Sequence, residues 1–350
     1  MANGSIPSTL PTVPPYQLER RGVVLRPDPS NPYEQGGVLN PAAVLHDGVT
    51  FLLYRAVATV PPNYSRILIA TCSFGPQGEI QTQKLNKVVL EPQASYELLA
   101  DGQGGGVEDP RITLLDGVYY MTYTAYGTLN GVATPRIAIA KSHDLFAWAR
   151  LGLPHFQVDA KGDPHLSGYD LNQVPNKDSI LFPERIGGRY CMMHRPMFPH
   201  SSGLPQSIWI SWSEDLLYWV DHELVLAPML PWESLKVGGG TPPIRTAEGW
   251  LSYYHGVEGS ADDDPNRRYH AGALLLALDN PTRVLYQSPQ PVLSPESADE
   301  TTGVVSNVVF PTGIVQQPDG RLDVYYGMAD QAIGLATAYL PLADNQRDKG

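Results

Sequence analysis

The chain has 350 residues, of which 42% are hydrophobic and 17% charged, with a formal net charge of -12. It is too apolar for a disordered protein, holds no apolar run of membrane-spanning length, and its acidic balance argues against nucleic acid or an acidic membrane as partner. Gly and Pro, 33 each, restrict long helices, while 19 Tyr and 6 Trp favour strands, so composition predicts an all-β fold.

The start, Met1-Ala2-Asn3-Gly4-Ser5-Ile6-Pro7, lacks the basic and apolar regions of a signal peptide, and a cytoplasmic location is expected. Residues 1–16 hold four prolines and predict an extended arm, followed by a single domain over 17–350. Cys72 and Cys191 form no CxxC pair and read as reduced, buried thiols.

From residue 40 onward a pattern recurs five times: a proline, a β-branched run, a turn glycine and an aromatic-rich strand. The copies start at Asn40-Pro41, Asp109-Pro110, Phe182-Pro183, Pro242-Pro243 and Phe310-Pro311, with gaps of 69, 73, 60 and 68 residues. Their glycines, Gly48, Gly117, Gly188, Gly249 and Gly320, suit tight hairpins with positive φ. Six residues beyond each glycine stand Tyr54, Tyr123, His194, His255 and Tyr326.

A second module, Ser142-His143-Asp144-Leu145-Phe146-Ala147-Trp148, recurs as Ser213-Glu214-Asp215-Leu216-Leu217-Tyr218-Trp219 after a strand-like run. Its Ser and Asp are suited to capping a turn and its Trp to covering it. An inner hairpin followed by an outer hairpin makes a four-stranded unit. Five such units repeated radially predict a five-bladed β-propeller with four-stranded blades. The strand near Gly334–Tyr339 and the N-terminal segment are expected to complete one blade together.

Inner strands of a propeller converge on a funnel. The repeat starts supply Asn40, Glu108 with Asp109, Asp178 with Glu184, and Thr241 with Arg245, and Asp330 ends the last inner strand. Arg55, Arg66, Arg111, Lys177, Arg195, His255 and Tyr326 follow them, a cationic set suited to a phosphate or carboxylate ligand. Plainer readings stand beside these. Asp109 before Pro110 suits a backbone cap, Arg111 a pair with Glu108, and the two histidines inner-strand hydrogen bonding. Gly104-Gly105-Gly106 and Gly238-Gly239-Gly240 read as loops allowing close backbone approach. Asp262-Asp263-Asp264 reads as a solvated tip. The sequence carries no nucleophile elbow, zinc spacing or dinucleotide fingerprint, and no metal or cofactor is expected.

Several stretches, taken in order, resemble glycoside hydrolase family 130, the inverting β-mannoside phosphorylases and related β-mannosidases. They are Gly106-Val107-Glu108-Asp109-Pro110-Arg111, Asn176-Lys177-Asp178, Leu181-Phe182-Pro183-Glu184, Met193-His194-Arg195-Pro196, Gly239-Gly240-Thr241-Pro242-Pro243-Ile244, Tyr254-His255-Gly256 and Tyr325-Tyr326-Gly327 to Ala329-Asp330. The resemblance implies a five-bladed propeller, with Asp109 as general acid reaching the glycosidic oxygen through a hydroxyl of the bound mannoside. Inorganic phosphate would be co-substrate and α-mannose 1-phosphate the product. It implies phosphate contacts from Lys177, Arg195, His255 and Tyr269. Mannoside contacts would come from Asn40, Arg55, Arg66, Asp178 and Asp330, beside Glu108 and Arg111 of the acid motif.

Phosphate is already anionic and needs positioning rather than a second carboxylate to activate water. The basic set therefore favours phosphorolysis over its rivals, a β-mannosidase using water and a non-catalytic glycan-binding propeller. The loops Gly127–Ala133 and Gly162–Asn176 are expected to shape the acceptor subsites, and a homo-oligomer is left open.

Overall fold

The computed structural model describes residues 16–59, 64–102, 104–157 and 169–340. The expected arm, but for Tyr16, and residues 162–168 of the second acceptor loop lie outside the described residues. Strand Glu19–Leu25 (β1) comes first and is used last. Gly37–His46 (β2), Val49–Ala58 (β3), Tyr64–Phe74 (β4) and Ile80–Leu90 (β5) form the first antiparallel unit. Gly105–Leu115 (β6), Val118–Leu129 (β7), Val132–Ser142 (β8) and Ala149–Gly152 (β9) form the second. A short parallel contact, Tyr64 with Gly105 and Ser65 with Gly106, joins these two into one sheet.

His155–Phe156 (β10) crosses to the third unit, Asn176–Leu181 (β11), Tyr190–Pro196 (β12), Ile208–Ser213 (β13) and Tyr218–Leu226 (β14), where it pairs in parallel with β14. In the fourth unit Lys236–Gly239 (β15) and Ile244–Arg245 (β16) both pair with Trp250–Glu258 (β17), followed by Arg268–Leu276 (β18) and Val284–Gln287 (β19). After the one-turn helix Ala298–Thr301 (α1), the fifth unit is Val309–Gln316 (β20), Arg321–Met328 (β21) and Ala332–Tyr339 (β22), with β1 as its fourth strand. The expected sharing of that unit between the two ends of the chain is thus present.

Five buried clusters lie between successive units. They join the first to the second through Val44 and Met121, the second to the third through Ile139 and Trp209, and the third to the fourth through Ile210 and Leu274. They join the fourth to the fifth through Leu251 and Val324, and the fifth back to the first through Leu335 and Leu52. Alternation along each strand sends one set of apolar side chains to the unit before and the other to the unit after. Cys72 and Cys191 are buried free thiols. Among the described residues no helix is long and apolar enough to cross a membrane.

Three inner hairpins turn on two successive residues of positive φ: Asp47 and Gly48, Asp116 and Gly117, Gly187 and Gly188. This is the turn whose twist matches the flanking strands. Gly249 departs from the expectation, since it has no positive φ. A Cβ there would lie 2.5 Å from the Leu276 carbonyl oxygen, so the glycine serves close approach. The Ser-x-Asp-Leu modules behave alike. In each, the Ser hydroxyl and Asp carboxylate accept backbone N–H groups, and the Trp indole donates to the carbonyl of Leu145 or Leu216.

The spacing-based repeat needs two corrections. The inner strands of the first, second, third and fifth units each carry an irregularity opposite the partner strand. In the third unit it falls at Asp178-Ser179, opposite His194, rather than at Phe182-Pro183. Asn40, Asp109 and Asp178 then correspond, with φ of 48, 48 and 55 degrees.

In the fourth unit Tyr254, not His255, matches Tyr54, Tyr123 and Tyr326. These four phenols each donate to a fully buried glutamate, Glu34, Glu97, Glu233 or Glu300, at 2.6–3.0 Å. The same carboxylates accept backbone N–H groups of their own entry segments and a side chain from the fourth strand, Lys84, Arg150, Gln287 or Arg20. Each such pin ties the entry of a unit to its second and fourth strands, and a hydrogen bond to a charged group contributes about 1.5–3 kcal/mol. The third unit substitutes a chain without a glutamate, in which His194 bonds Ser211 at 2.7 Å and Ser211 bonds His222 at 2.8 Å.

Candidate active site

Side chains alternate along a strand, so the residue after each pinned position faces the opposite way. Those residues are Arg55, Thr124, Arg195, His255 and Gly327. Three of the five are predicted ligand contacts. The one-residue difference in the fourth unit is what turns His255 toward Asp178, 3.6 Å from Nε2 to Oδ2. Gly327 makes room for a neighbour, since a Cβ there would lie 2.0 Å from Asn40 Oδ1.

Asp109 is buried at the irregularity of β6. Its Oδ1 accepts Asn40 Nδ2 at 2.8 Å and Arg55 Nη1 at 3.2 Å. Arg55 also donates to Glu108 Oε1 at 2.7 Å and to Ser65 Oγ at 2.9 Å, so one guanidinium bridges both acids of the Glu-Asp pair. The carboxylate of Asp109 is held by side chains and is not a backbone cap. Arg111 does not pair with Glu108. It donates to the Asp109 carbonyl oxygen at 2.8 Å and to the Gly240 carbonyl at 3.3 Å, and comes within 3.8 Å of Asp178.

Burial pushes the Asp109 carboxyl up, but Arg55, Lys177, Arg111 and the Asn40 bond outweigh it and hold the group below the usual range. Burial, together with the charge of Asp109, pushes Glu108 up against Arg55 and Lys177. The two acids thus titrate as a pair in which Glu108 keeps the proton more readily. Asp330, at φ 52 degrees, is raised by burial, with Arg55 and Lys177 opposing.

The second half of the site centres on Asp178, which is wholly buried. Arg195 Nε donates to its Oδ2 at 2.7 Å, and Arg195 Nη1 donates to Gln206 Oε1. Arg195, Lys177 and Arg111 overcome the effect of burial and hold Asp178 far below the ordinary carboxylate range. His255 is buried beside Phe310, 4.4 Å between ring centroids, and Tyr269, 6.1 Å. Burial drives its pKa well down, so the imidazole is neutral, with one ring nitrogen able to donate and the other able to accept. Both of its ring nitrogens lack a hydrogen-bond partner among the described residues, as does Asp178 Oδ1. Lys177 has no ion pair within 4.0 Å among the described residues, and its charge acts on Glu108, Asp109, Asp178 and Asp330 together.

The close approach expected at Gly238-Gly239-Gly240 is real, though Gly238 and Gly239 end strand β15. A Cβ on Gly238 would sit 2.4 Å from His255 Cε1 and 2.6 Å from Asp178 Oδ2.

The fold therefore brings Asn40, Arg55, Glu108, Asp109, Arg111, Asp178, Arg195, His255 and Tyr269 into one connected group, with Lys177 and Asp330 within electrostatic reach. Arg66 stands apart from it. Its Nε donates to Glu91 at 3.0 Å, and its guanidinium packs between the rings of Tyr33 and Tyr64. Glu184 and Arg245 pair with each other at 3.0 Å, on exposed side chains. Ser65 and Gln206, which hold two of the site arginines, carried no sequence signal, because neither belongs to the repeat pattern. Among the described residues no cluster of His, Cys, Asp and Glu is suited to a metal ion.

The sequence profile of glycoside hydrolase family 130, described as beta-1,4-mannooligosaccharide phosphorylase, matches residues 14–342. The chain is 37% identical to a 1,2-beta-oligomannan phosphorylase of Thermoanaerobacter sp. (strain X514), over 89% of this chain and 93% of that one. It is 33% identical to a beta-1,4-mannooligosaccharide phosphorylase of Ruminococcus albus, over 72% and 68%. A solved structure described under family 130 glycoside hydrolases that target beta-1,2 mannosidic linkages in Candida mannan superposes with a TM-score of 0.74 at 26% identity, covering 96% of this chain and 97% of that one. With the match running through nearly all of the described residues, the chain belongs to glycoside hydrolase family 130.

Proposed function

We propose that this protein is an inverting β-mannoside phosphorylase, cleaving short β-mannosides with inorganic phosphate to α-mannose 1-phosphate and running the reverse synthesis. The observation that carries the reading is the pairing of one buried carboxylate, Asp109, with an adjoining anion cradle of Lys177, Arg195 and His255. Mannose is held by Asn40, Arg55, Asp178 and Asp330, with Glu108 and Arg111 fixing the motif, while Arg66, paired with Glu91, takes no part. Asp109 delivers a proton, by way of a mannose hydroxyl, to the oxygen of the leaving sugar as that C–O bond breaks. A phosphate oxygen bonds to the anomeric carbon from the opposite face. Overall, the proton of monohydrogen phosphate replaces the one that Asp109 gives up, so the cycle closes.

The cradle does for phosphate what a second carboxylate does for water in an inverting hydrolase. Lys177 and Arg195 offset its charge, while neutral His255 and the Tyr269 hydroxyl add donors. Phosphate bound there also offsets the cations that hold Asp109 ionised, which favours its protonated form when it must act as acid.

The architecture supports reading residues 17–350 as one five-bladed propeller. Five antiparallel units, five intervening cores and a last unit completed by the pairing of β1 with β22 are what a closed ring requires. Residues 1–16 would be its extended arm.

A second reading, hydrolysis by water, has a footing in the similarity to a family 130 hydrolase structure. One experiment separates the two. β-1,2- and β-1,4-mannobiose are incubated with and without phosphate, and products are followed by ³¹P NMR. Phosphate-dependent formation of α-mannose 1-phosphate is expected; release of free mannose at the same rate without phosphate sinks the proposal.

A further inference from the structure

The Asp262-Asp263-Asp264 run is exposed at Asp262 and Asp263, as expected of a solvated tip, yet its residues divide their roles. Asp264 accepts Ser260 and Asn266 backbone N–H groups and so shapes its own loop. Asp262 instead reaches toward the site. Its Oδ1 pairs with Lys236 Nζ, and its Oδ2 accepts Gln206 Nε2 at 3.3 Å. Gln206 in turn accepts Arg195 Nη1 on Oε1.

The backbone keeps these groups together. Gln206 bridges Lys236 in parallel, and Val237 N donates to the Gln206 carbonyl at 3.1 Å. Lys236 is buried, with its ammonium 5.7 Å from the centroid of the Tyr269 ring.

We infer that Lys236, Asp262 and Gln206 are a positioning chain that fixes the Arg195 guanidinium for an incoming phosphate. The identity of the anion rests on the phosphorolytic reading above. Arginine has several rotatable bonds, and a free one loses that freedom on binding, which weakens binding of the anion it holds about 3–10-fold. Here Asp178 grips Nε and Gln206 grips Nη1, and Nη2 has no partner among the described residues. The link is a neutral amide, so it passes on orientation without placing a further negative charge against Arg195. The charge of Asp262 is balanced by Lys236 at the far end of the chain.

The test is phosphate binding to the free protein by titration calorimetry, read together with steady-state kinetics. Wild type, Asp262→Ala, Gln206→Ala, Arg195→Ala and the doubles Asp262→Ala/Arg195→Ala and Gln206→Ala/Arg195→Ala are compared. Asp262→Ala and Gln206→Ala are each expected to weaken phosphate about 3–10-fold, and to leave the KM for mannobiose within about twofold. In the Arg195→Ala background neither has a further effect, since they act through that residue. Asp262→Glu, which keeps the carboxylate, is expected to restore part of the loss.

Equal weakening in both backgrounds, an equal rise in mannobiose KM, or a wild type that binds no phosphate overturns the inference. If Asp262→Ala does not fold, the Gln206→Ala pair completes the same cycle. Turnover by wild type that ignores phosphate, with phosphate binding and the cycle intact, ends the phosphorolytic reading and leaves the positioning chain standing.

Discussion

Replacing Asp109 by Asn and by Ala separates its chemistry from its place in the backbone. Asp109 has φ of 48 degrees, a region that Asn tolerates and Ala does not, at a cost of about 1–2 kcal/mol for Ala. In Asp109→Asn the amide oxygen still accepts Asn40 Nδ2 and Arg55 Nη1, now at 2.8 and 3.2 Å in the wild type. The bond from Arg55 loses its charge assistance, worth about 1 kcal/mol, but Arg55 keeps Glu108. Stability therefore falls by about 1 kcal/mol in Asn, and in Ala by the backbone strain and the lost hydrogen bonds as well.

Turnover falls in both variants by about 10²–10⁴-fold, because neither side chain can give a proton to the leaving oxygen. That corresponds to about 3–5 kcal/mol of barrier. The assay is initial phosphorolysis rate at saturating phosphate beside denaturant unfolding of each variant. An Asn variant with native stability and turnover within tenfold of wild type removes Asp109 from the acid role. Equal destabilisation by Asn and Ala refutes the backbone argument.

Three further outcomes are expected. Arg195→Ala raises the KM for phosphate and, by leaving buried Asp178 without its closest partner, destabilises the fold by about 3–5 kcal/mol; an unchanged unfolding midpoint contradicts the ion pair as described. Gly327→Ala drives a methyl into Asn40 Oδ1, at a cost of about 1–3 kcal/mol, and loosens the bond to Asp109; turnover measured at full folding should fall by up to about 10²-fold, and wild-type rates would show that Asn40 is not needed there. Asp330 has a raised folded-state pKa, so its contribution to stability is complete below the unfolded carboxyl range and is lost as pH rises through the folded value. Asp330→Asn lacks that loss, and its melting temperature relative to wild type is expected to climb from pH 4 to pH 8; a constant difference counts against the raised pKa.

Much of the local structure was legible because its causes are local. The Asp-Gly and Gly-Gly pairs place two residues of positive φ in a tight turn, and the Ser-x-Asp-Leu modules satisfy their own backbone within seven residues. The residues proposed as acid and anion cradle stood out for another reason. Glu108-Asp109-Pro110-Arg111, Lys177-Asp178 and His194-Arg195 are contiguous motifs, and the resemblance they carry runs the length of the chain. Arg66 is the exception among the predicted contacts, drawn aside by Glu91 and two tyrosines that no repeat position foretold.

The amino-acid sequence by itself thus determined the β class, the unit count, the hairpin turns and the residue types of the site. Tertiary structure alone decided which side chains face one another. Counting from the turn glycine matched His255 with Tyr54, but one residue fewer in that hairpin puts Tyr254 on Glu233 and turns His255 to Asp178. A strand reverses its faces with every residue, so spacing that is good to one position cannot assign a face. The buried glutamates lie 20, 26, 21 and 26 residues before their tyrosines, too irregular for a pattern, and are joined only when the entry segment folds back across its sheet. Arg195 and Asp262 are likewise distant in the chain, and only the hydrogen bonds of Gln206 to both join them.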